Sequence, residues 1–216
     1  MTEFRVKGPT CEAVVCDDPD DWEARALATG RYYEQGLLEA ICAKNLVGVY
    51  LDIGAHVGNH SAFFALECPA VRVVALEPNP PSFALLRQTI AANGLVGRAD
   101  WLNMACHPSW QAVDVIPGPP GNTGMATVIE GSQIPAIRLD ALADGLQVAV
   151  VKIDVEGLGA AVLASGPKLL QRDRPLLAVE ARDQGEQRMI AAVLKPFGYR
   201  PGPTYCATPV TLWEAR

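Results

Sequence analysis

Apolar residues in this chain gather into short unbroken runs separated by stretches with a three-to-four-residue period. Val47 to Ile53, Val71 to Glu77, Asp100 to Met104, Val148 to Asp154 and Leu176 to Glu180 are each too short for a stable helix. Such runs suit parallel strands covered on both faces. Between them lie helical patterns. Asn59 is a natural N-cap for His60 to Leu66, and Phe63 and Phe64 supply apolar surface there. Phe83, Leu86 and Ile90 recur at helical spacing behind Asn79 or Ser82 and before Asn93-Gly94. Leu158 to Ala164 stops at Gly166-Pro167, and Glu186 to Leu194 turns Met189, Ile190, Val193 and Leu194 inward. After Gly198, Tyr199 to Pro201 and Pro209 to Trp213 can pair as a closing antiparallel hairpin. The alternation predicts an α/β fold, a largely parallel sheet with right-handed crossovers and helices on both faces.

The polar residues that interrupt these runs carry the chemistry. Asp52 sits near the end of the first strand, just before Gly54-Ala55-His56-Val57-Gly58-Asn59. Ligands of open α/β sheets bind at that end. Gly54 takes backbone angles closed to other residues, and Gly58 lets the next helix pack closely. Dinucleotide sites place a glycine against the pyrophosphate where this chain has His56, and no Gly-Lys-Ser or Gly-Lys-Thr closes a triphosphate loop. A phosphate-free nucleoside cofactor, S-adenosylmethionine, fits better. Glu77 ends the second strand 25 positions (77 minus 52) after Asp52, near the spacing of a ribose-binding acid. The competing reading makes Glu77 a solvated strand-end acid. Pro78 and Asn79 then turn the chain, and Asn103, Met104 and Ala105 end the third strand beside the expected adenine site.

Three blocks, Asp52-Ile53-Gly54-Ala55-His56-Val57-Gly58-Asn59-His60, Glu77-Pro78-Asn79-Pro80 and Lys152-Ile153-Asp154-Val155-Glu156-Gly157, occur in this order. Together they resemble the FkbM-type family of S-adenosylmethionine-dependent methyltransferases, and the likeness runs from about Tyr33 to Glu180. The resemblance implies a class I methyltransferase-like Rossmann sheet of seven strands with a terminal hairpin. It also implies O-methylation of a small-molecule hydroxyl, in a sugar or natural product. Tyr33-Glu34 resembles a family element preceding the first strand, although an exposed helix face explains Glu34 equally well. Members carry a glutamate two residues after the last block's glycine, where this chain has Gly159. Whatever that glutamate does in relatives is therefore in question here.

Methyl transfer from an activated sulfonium requires an acceptor held in line, and a hydroxyl acceptor also benefits from a base. Asp154, at the end of the fourth strand, is the first candidate to orient or deprotonate it. The alternative has Asp154 capping the next helix or meeting the methionine amino group. Glu156 and His107 are weaker candidates, and Glu180 weaker still. A non-catalytic binding module and a nicotinamide-dependent oxidoreductase are the other readings of the same sheet.

Composition bounds the remainder. A chain of 216 residues, 50% hydrophobic and 19% charged, suffices for a core. Residues 1–45 read as an N-terminal helical extension, with an acidic turn at Asp17 to Asp21 and a helix-like segment from Glu23 to Ala43. Residues 46–216 form the methyltransferase domain. Within it 108–135 is a lid-like insertion, whose Pro117 to Gly124 cannot be regular structure. The net charge of -6 and the absence of a basic run predict a small-molecule acceptor and no nucleic-acid partner. No apolar stretch suits a membrane, and no signal peptide is evident, so a cytoplasmic protein is expected. Six scattered cysteines read as reduced thiols. His56 and His60, four apart, do not share a helical face, so no metal is expected.

Overall fold

The computed structural model describes residues 1–215. The chain opens with β1 (Thr2–Lys7) and β2 (Glu12–Asp17), followed by α1 (Ala24–Leu27) and α2 (Gln35–Cys42). Next come β3 (Gly48–Ile53), α3 (Asn59–Glu67), β4 (Ala70–Leu76), α4 (Pro80–Ala92) and β5 (Ala99–Leu102). An insertion contributes β6 (Ala105–Cys106), β7 (Ala112–Ile116), β8 (Thr127–Glu130) and β9 (Ile134–Ile137). The second half holds α5 (Leu139–Leu142), β10 (Val148–Ile153), α6 (Gly159–Ala164), α7 (Pro167–Arg172), β11 (Leu176–Glu180) and α8 (Gln184–Leu194). β12 (Tyr199–Tyr205) and β13 (Val210–Ala215) close it.

The main sheet runs β12-β13-β11-β10-β3-β4-β5. Its five inner and edge strands β11, β10, β3, β4 and β5 are parallel, and β13 pairs antiparallel with both β11 and β12. From β3 the chain steps outward through β4 to β5, then returns to the other side of β3 at β10. The strand order therefore reverses between β3 and β10. A crevice opens at the carboxyl ends of the strands flanking such a reversal, and Ile53 and Ile153 pair across it.

Strand alternation divides the core in two. Tyr50 faces Phe63, Phe64, Leu86 and Ile90 on one side, while Leu51, Ile53, Val151 and Leu177 meet Val162, Leu163 and Trp213 on the other. α3 is buried from Asn59 through Ala65, because the amino-terminal elements cover its outer face. This explains its weak amphipathic period.

Three expectations change. The amino-terminal extension begins as a β-hairpin, Thr2 pairing with Asp17 and Lys7 with Glu12, rather than as helix. It docks on α3 and α4 through bonds from Thr10 and Cys11 to Glu67, from Cys16 N–H to Thr89, and between Val14 and Asn93. Gly58, left-handed at φ 85, caps α3 in place of Asn59. The Asn59 side chain instead holds the Tyr33 backbone, accepting from its N–H at 3.1 Å and donating to its carbonyl at 3.0 Å. The 108–135 segment is largely ordered into a small sheet, β6-β9-β7-β8, with Pro117 to Asn122 its longest irregular stretch. All six cysteines are free thiols.

Candidate active site

The turn after β3 is built by close approach. A Cβ on Gly54 (φ +78) would stand 1.7 Å from the Asp154 carbonyl oxygen, so only bare backbone lets the ends of β3 and β10 meet. The N–H groups of Gly54 and Ala55 both donate to the Leu76 carbonyl, drawing the turn toward β4. His56 N–H then donates to Glu77 Oε2 at 2.8 Å, and Asn79 N–H donates to Oε1 at 2.7 Å. Glu77 is buried, which pushes its carboxyl above the usual range, against the pull of His56 and these two amides. A carboxylate has about four acceptor positions. Glu77 also lines a cleft bounded by Ile53, Leu76, Pro78, Met104 and Ala105, and the two positions left over suffice to accept both hydroxyls of a nucleoside diol.

A second recess adjoins this cleft, enclosed by Tyr33, Gly54, Ala55, Asn59, His60 and Asp154. Beneath it lies a buried charge ladder. Lys152 Nζ donates to the Gly54 carbonyl at 2.6 Å and stands 3.2 Å from Asp52 Oδ1 and 3.5 Å from Asp154 Oδ2. Burial opposes the charge on Lys152, but Asp52 and Asp154 outweigh it and hold the ammonium protonated. Asp52 is fully enclosed and also accepts from Ser61 Oγ at 2.6 Å. It lines neither the cleft nor the recess, so the expected place of Asp52 at the cofactor surface is corrected to a buried position against Lys152.

Asp154 and Glu180 titrate as opposites. Burial raises Asp154, yet Lys152 and a hydrogen bond with Glu180 bring it below the usual range. Burial and the Asp154 charge push Glu180 up to about 9. At neutral pH Glu180 is thus protonated and donates to an ionised Asp154. Glu156, left-handed at φ 47, also lines the cleft and lies 3.9 Å from Arg182. Oxygens of Asp154, Glu156 and Glu180 come within 4.8 Å of one another, a spacing that could hold a hard cation. Gly159 is buried beside them, and its Cβ would stand 3.2 Å from Val179 Cγ1, which leaves no easy room for a fourth carboxyl side chain.

His56 ties the insertion down. Its Nε2 lies 2.7 Å from Thr123 Oγ1, and its Nδ1 3.0 Å from Glu23 Oε1. Thr123 Oγ1 and N–H both donate to Asp21 Oδ2, at 2.7 and 2.8 Å. Since the threonine hydroxyl spends its one proton on Asp21, His56 Nε2 must donate to it, and Nδ1 donates toward Glu23. The ring is then a cation. Burial resists that charge, but Glu23 and Glu77 raise the pKa to about 9. Thr123, Gly124, Ala126 and Val128 form the wall of the cleft opposite Glu77.

The structure therefore brings Gly54, Ala55, His56, Glu77, Pro78, Met104, Ala105, Asp154 and Glu156 to the cleft and its adjoining recess. Gly58 lies behind it against Leu86. Asn79 and Asn103 brace Glu77 from outside, Asn103 Nδ2 donating to the carbonyls of Glu77 and Pro78. Glu34 sits 3.5 Å from His60 Nε2 on an adjoining outer groove rather than in the cleft. His107 is a correction: its ring stacks on Trp110 at 3.7 Å, its Nδ1 accepts the Trp110 N–H, and it faces neither cavity. Sequence reasoning missed Lys152 as a site residue, and Asp21, Glu23 and Thr123 altogether. The alternation of Lys152 with Asp154 was visible; contacts between segments about 100 positions apart were not.

The family described as methyltransferase FkbM domain matches residues 52–201. A ribosomal RNA small subunit methyltransferase C from Enterobacter sp. (strain 638) is 34% identical over 86 residues, 40% of this chain and 25% of that protein. The matched part is thus a quarter of that relative's length. Among solved structures, a methyltransferase FkbM from Methylobacillus flagellatus KT superposes with a TM-score of 0.55 at 16% identity, covering 78% of this chain and 43% of that one. A complex of aTrm5 and tRNALeu superposes with a TM-score of 0.50 at 14% identity, covering 100% of this chain and 53% of that one. The expectation of a small-molecule acceptor and no nucleic-acid partner is corrected by the ribosomal RNA methyltransferase that this chain resembles in sequence. Net charge averages over a whole surface, whereas bases are read by stacking and edge hydrogen bonds that need little charge.

Proposed function

The chain belongs to the FkbM methyltransferase family and depends on S-adenosylmethionine, and on that premise we propose that it methylates a nucleotide of RNA. What supports RNA as the acceptor is the likeness to a ribosomal RNA methyltransferase; what supports the cofactor's place is Glu77, pinned by the amides of His56 and Asn79 and lining the cleft. In this reading Glu77 takes the ribose diol, Met104 and Ala105 flank the adenine, and the methionine end lies in the recess by Gly54, Ala55 and Asn59. Bound there, S-adenosylmethionine supplies an electrophilic methyl group. Asp154, ionised and at the rim of both cavities, accepts the hydrogen of the attacking group and aligns it. The 108–135 insertion serves as a lid that excludes water from the cleft.

The acceptor atom has two readings. Asp154 is held below the usual carboxylate range, a weak base that suits an amino group, which sheds its proton readily once methylated. A hydroxyl, the sequence-based expectation, calls for a stronger base; Glu180 fills that role only once it ionises near 9. An amino acceptor is favoured. A cytoplasmic setting is part of the same proposal, and no described helix is long and apolar enough to cross a membrane.

The test is incubation with methyl-tritiated S-adenosylmethionine and unmodified ribosomal and transfer RNA, followed by nucleoside analysis. Label in a base or ribose, absent with Asp154→Asn, is the expected result. Label confined to free nucleosides or other small molecules contradicts the RNA reading.

A further inference from the structure

Tyr33 lines both the recess around Asp154 and an outer groove whose other lining residues include Trp22, Arg31, Glu34 and Tyr205. Trp22, Arg31 and Tyr205 line this outer groove and neither the cleft nor the recess. Trp22 is 51% exposed, an unusual state for the largest apolar side chain, and the Arg25 guanidinium lies over one face of its indole at 4.7 Å. Tyr33 and Tyr205 are half-buried on either side of the groove. Tyr205 stands at the tip of the β12–β13 hairpin and Tyr33 ahead of α2, so separate parts of the chain converge there. The Glu34 carboxylate, mostly buried, lies beside His60.

We propose that this groove is the acceptor subsite and that it holds an unpaired base, with its neighbour, of single-stranded RNA. The proposal rests on the RNA reading above and deepens it. Aromatic faces accept any base by stacking, and guanidinium planes extend the platform. Arg31 offers donors to a base carbonyl or a phosphate, and Glu34 an acceptor to an exocyclic amino group. Tyr33, common to the groove and the recess, sets a base held in the groove next to the recess that Asp154 lines. The surroundings also fix the form of the RNA. Asp18 and Asp20, exposed shortly before Trp22 in the chain, and the net charge of -6 repel a long backbone track and leave a duplex no cationic rail. A short unpaired stretch, held by its bases, meets neither obstacle.

The experiment uses the full chain saturated with S-adenosylhomocysteine and a fluorescein-labelled single-stranded RNA octamer of mixed sequence, read by anisotropy across salt concentrations. Trp22→Ala and Tyr205→Ala should each weaken RNA binding about tenfold or more. Their affinity for S-adenosylhomocysteine and their melting temperatures should not change, and Trp22→Phe should restore most of the RNA binding. The salt slope of the wild type should correspond to about one or two phosphates. RNA binding that both alanine variants retain overturns the groove and leaves the RNA reading standing. Equal binding of the octamer and its duplex overturns the unpaired-base claim. No RNA binding by the wild type, or capture of a basic peptide in its place, overturns groove and RNA reading together.

Discussion

The backbone amide of His56 donates to Oε2 of Glu77 across 2.8 Å, so the bend after β3 and the tip of β4 share a bond. Glu77 consequently needs no ligand to fix its rotamer. The same residue, His56, grips Thr123 with its ring. One position thus joins the floor of the cleft to its wall, and the left-handed backbone there, φ 48, aims the amide and the ring in these two directions.

Gly54 and Gly58 both have positive φ, yet substitution should affect them unequally. Gly54→Ala drives a methyl into the Asp154 carbonyl at 1.7 Å, whereas Gly58→Ala meets only the end of Leu86 at 2.6 Å. Backbone strain alone costs each about 1 to 3 kcal/mol. Thermal denaturation should show the larger loss for Gly54→Ala, with cofactor binding abolished. Equal melting temperatures would contradict the close approach of β3 and β10.

Asp17 is fully buried with Oδ2 unpaired, and burial raises its pKa to about 7. A raised carboxyl favours folding while it remains protonated, so its contribution is complete below about 3.8 and is lost as pH climbs through 7. Asp17→Asn keeps the bond from Asp18 N–H and removes the titration. It should stabilise the protein at pH 8 by on the order of a few kcal/mol and change little at pH 4. Identical urea midpoints for the two proteins at pH 8 would refute this.

Thr123→Val deletes the hydroxyl that links His56 to Asp21 while preserving shape. Loss of one charge-assisted bond, about 1.5 to 3 kcal/mol, should speed dissociation of S-adenosylhomocysteine by tenfold or more. The wild type should loosen in the same way as pH rises through 9, where His56, raised from 6.5, gives up its proton. Stopped-flow dissociation rates that ignore both changes would remove the lid role.

Asp154→Asn should abolish turnover with near-normal cofactor affinity, because Lys152 still has Asp52 as its partner. Glu180→Gln should keep turnover at neutral pH, where Glu180 is already protonated, and abolish any gain near pH 9. Turnover retained by Asp154→Asn would disqualify it as the acceptor's partner.

The sequence made the sheet legible wherever burial on both faces produced a continuous apolar run, as in β3, β4, β10 and β11. It was less legible where burial is one-sided. β1 alternates Phe4 and Val6 against Glu3, Arg5 and Lys7, a period of two that went unread beside the stronger acidic turn. α7 and α5, six and four residues long, fall below the length at which a helical period can be recognised. Within the site, the glycine turn and Glu77 could be read because each depends on local spacing. The burial of Asp52 beneath Lys152 could not be read, because it depends on pairing across strands. The contacts of Asp21 and His56 with Thr123 lie beyond any local pattern.

Calorimetric titration of S-adenosylhomocysteine into the wild type and Glu77→Ala tests the central claim most directly. The account predicts binding by the wild type and a loss of about 1.5 to 3 kcal/mol for each ribose hydrogen bond removed. Equal affinity in the two proteins, or no binding by the wild type, would contradict it.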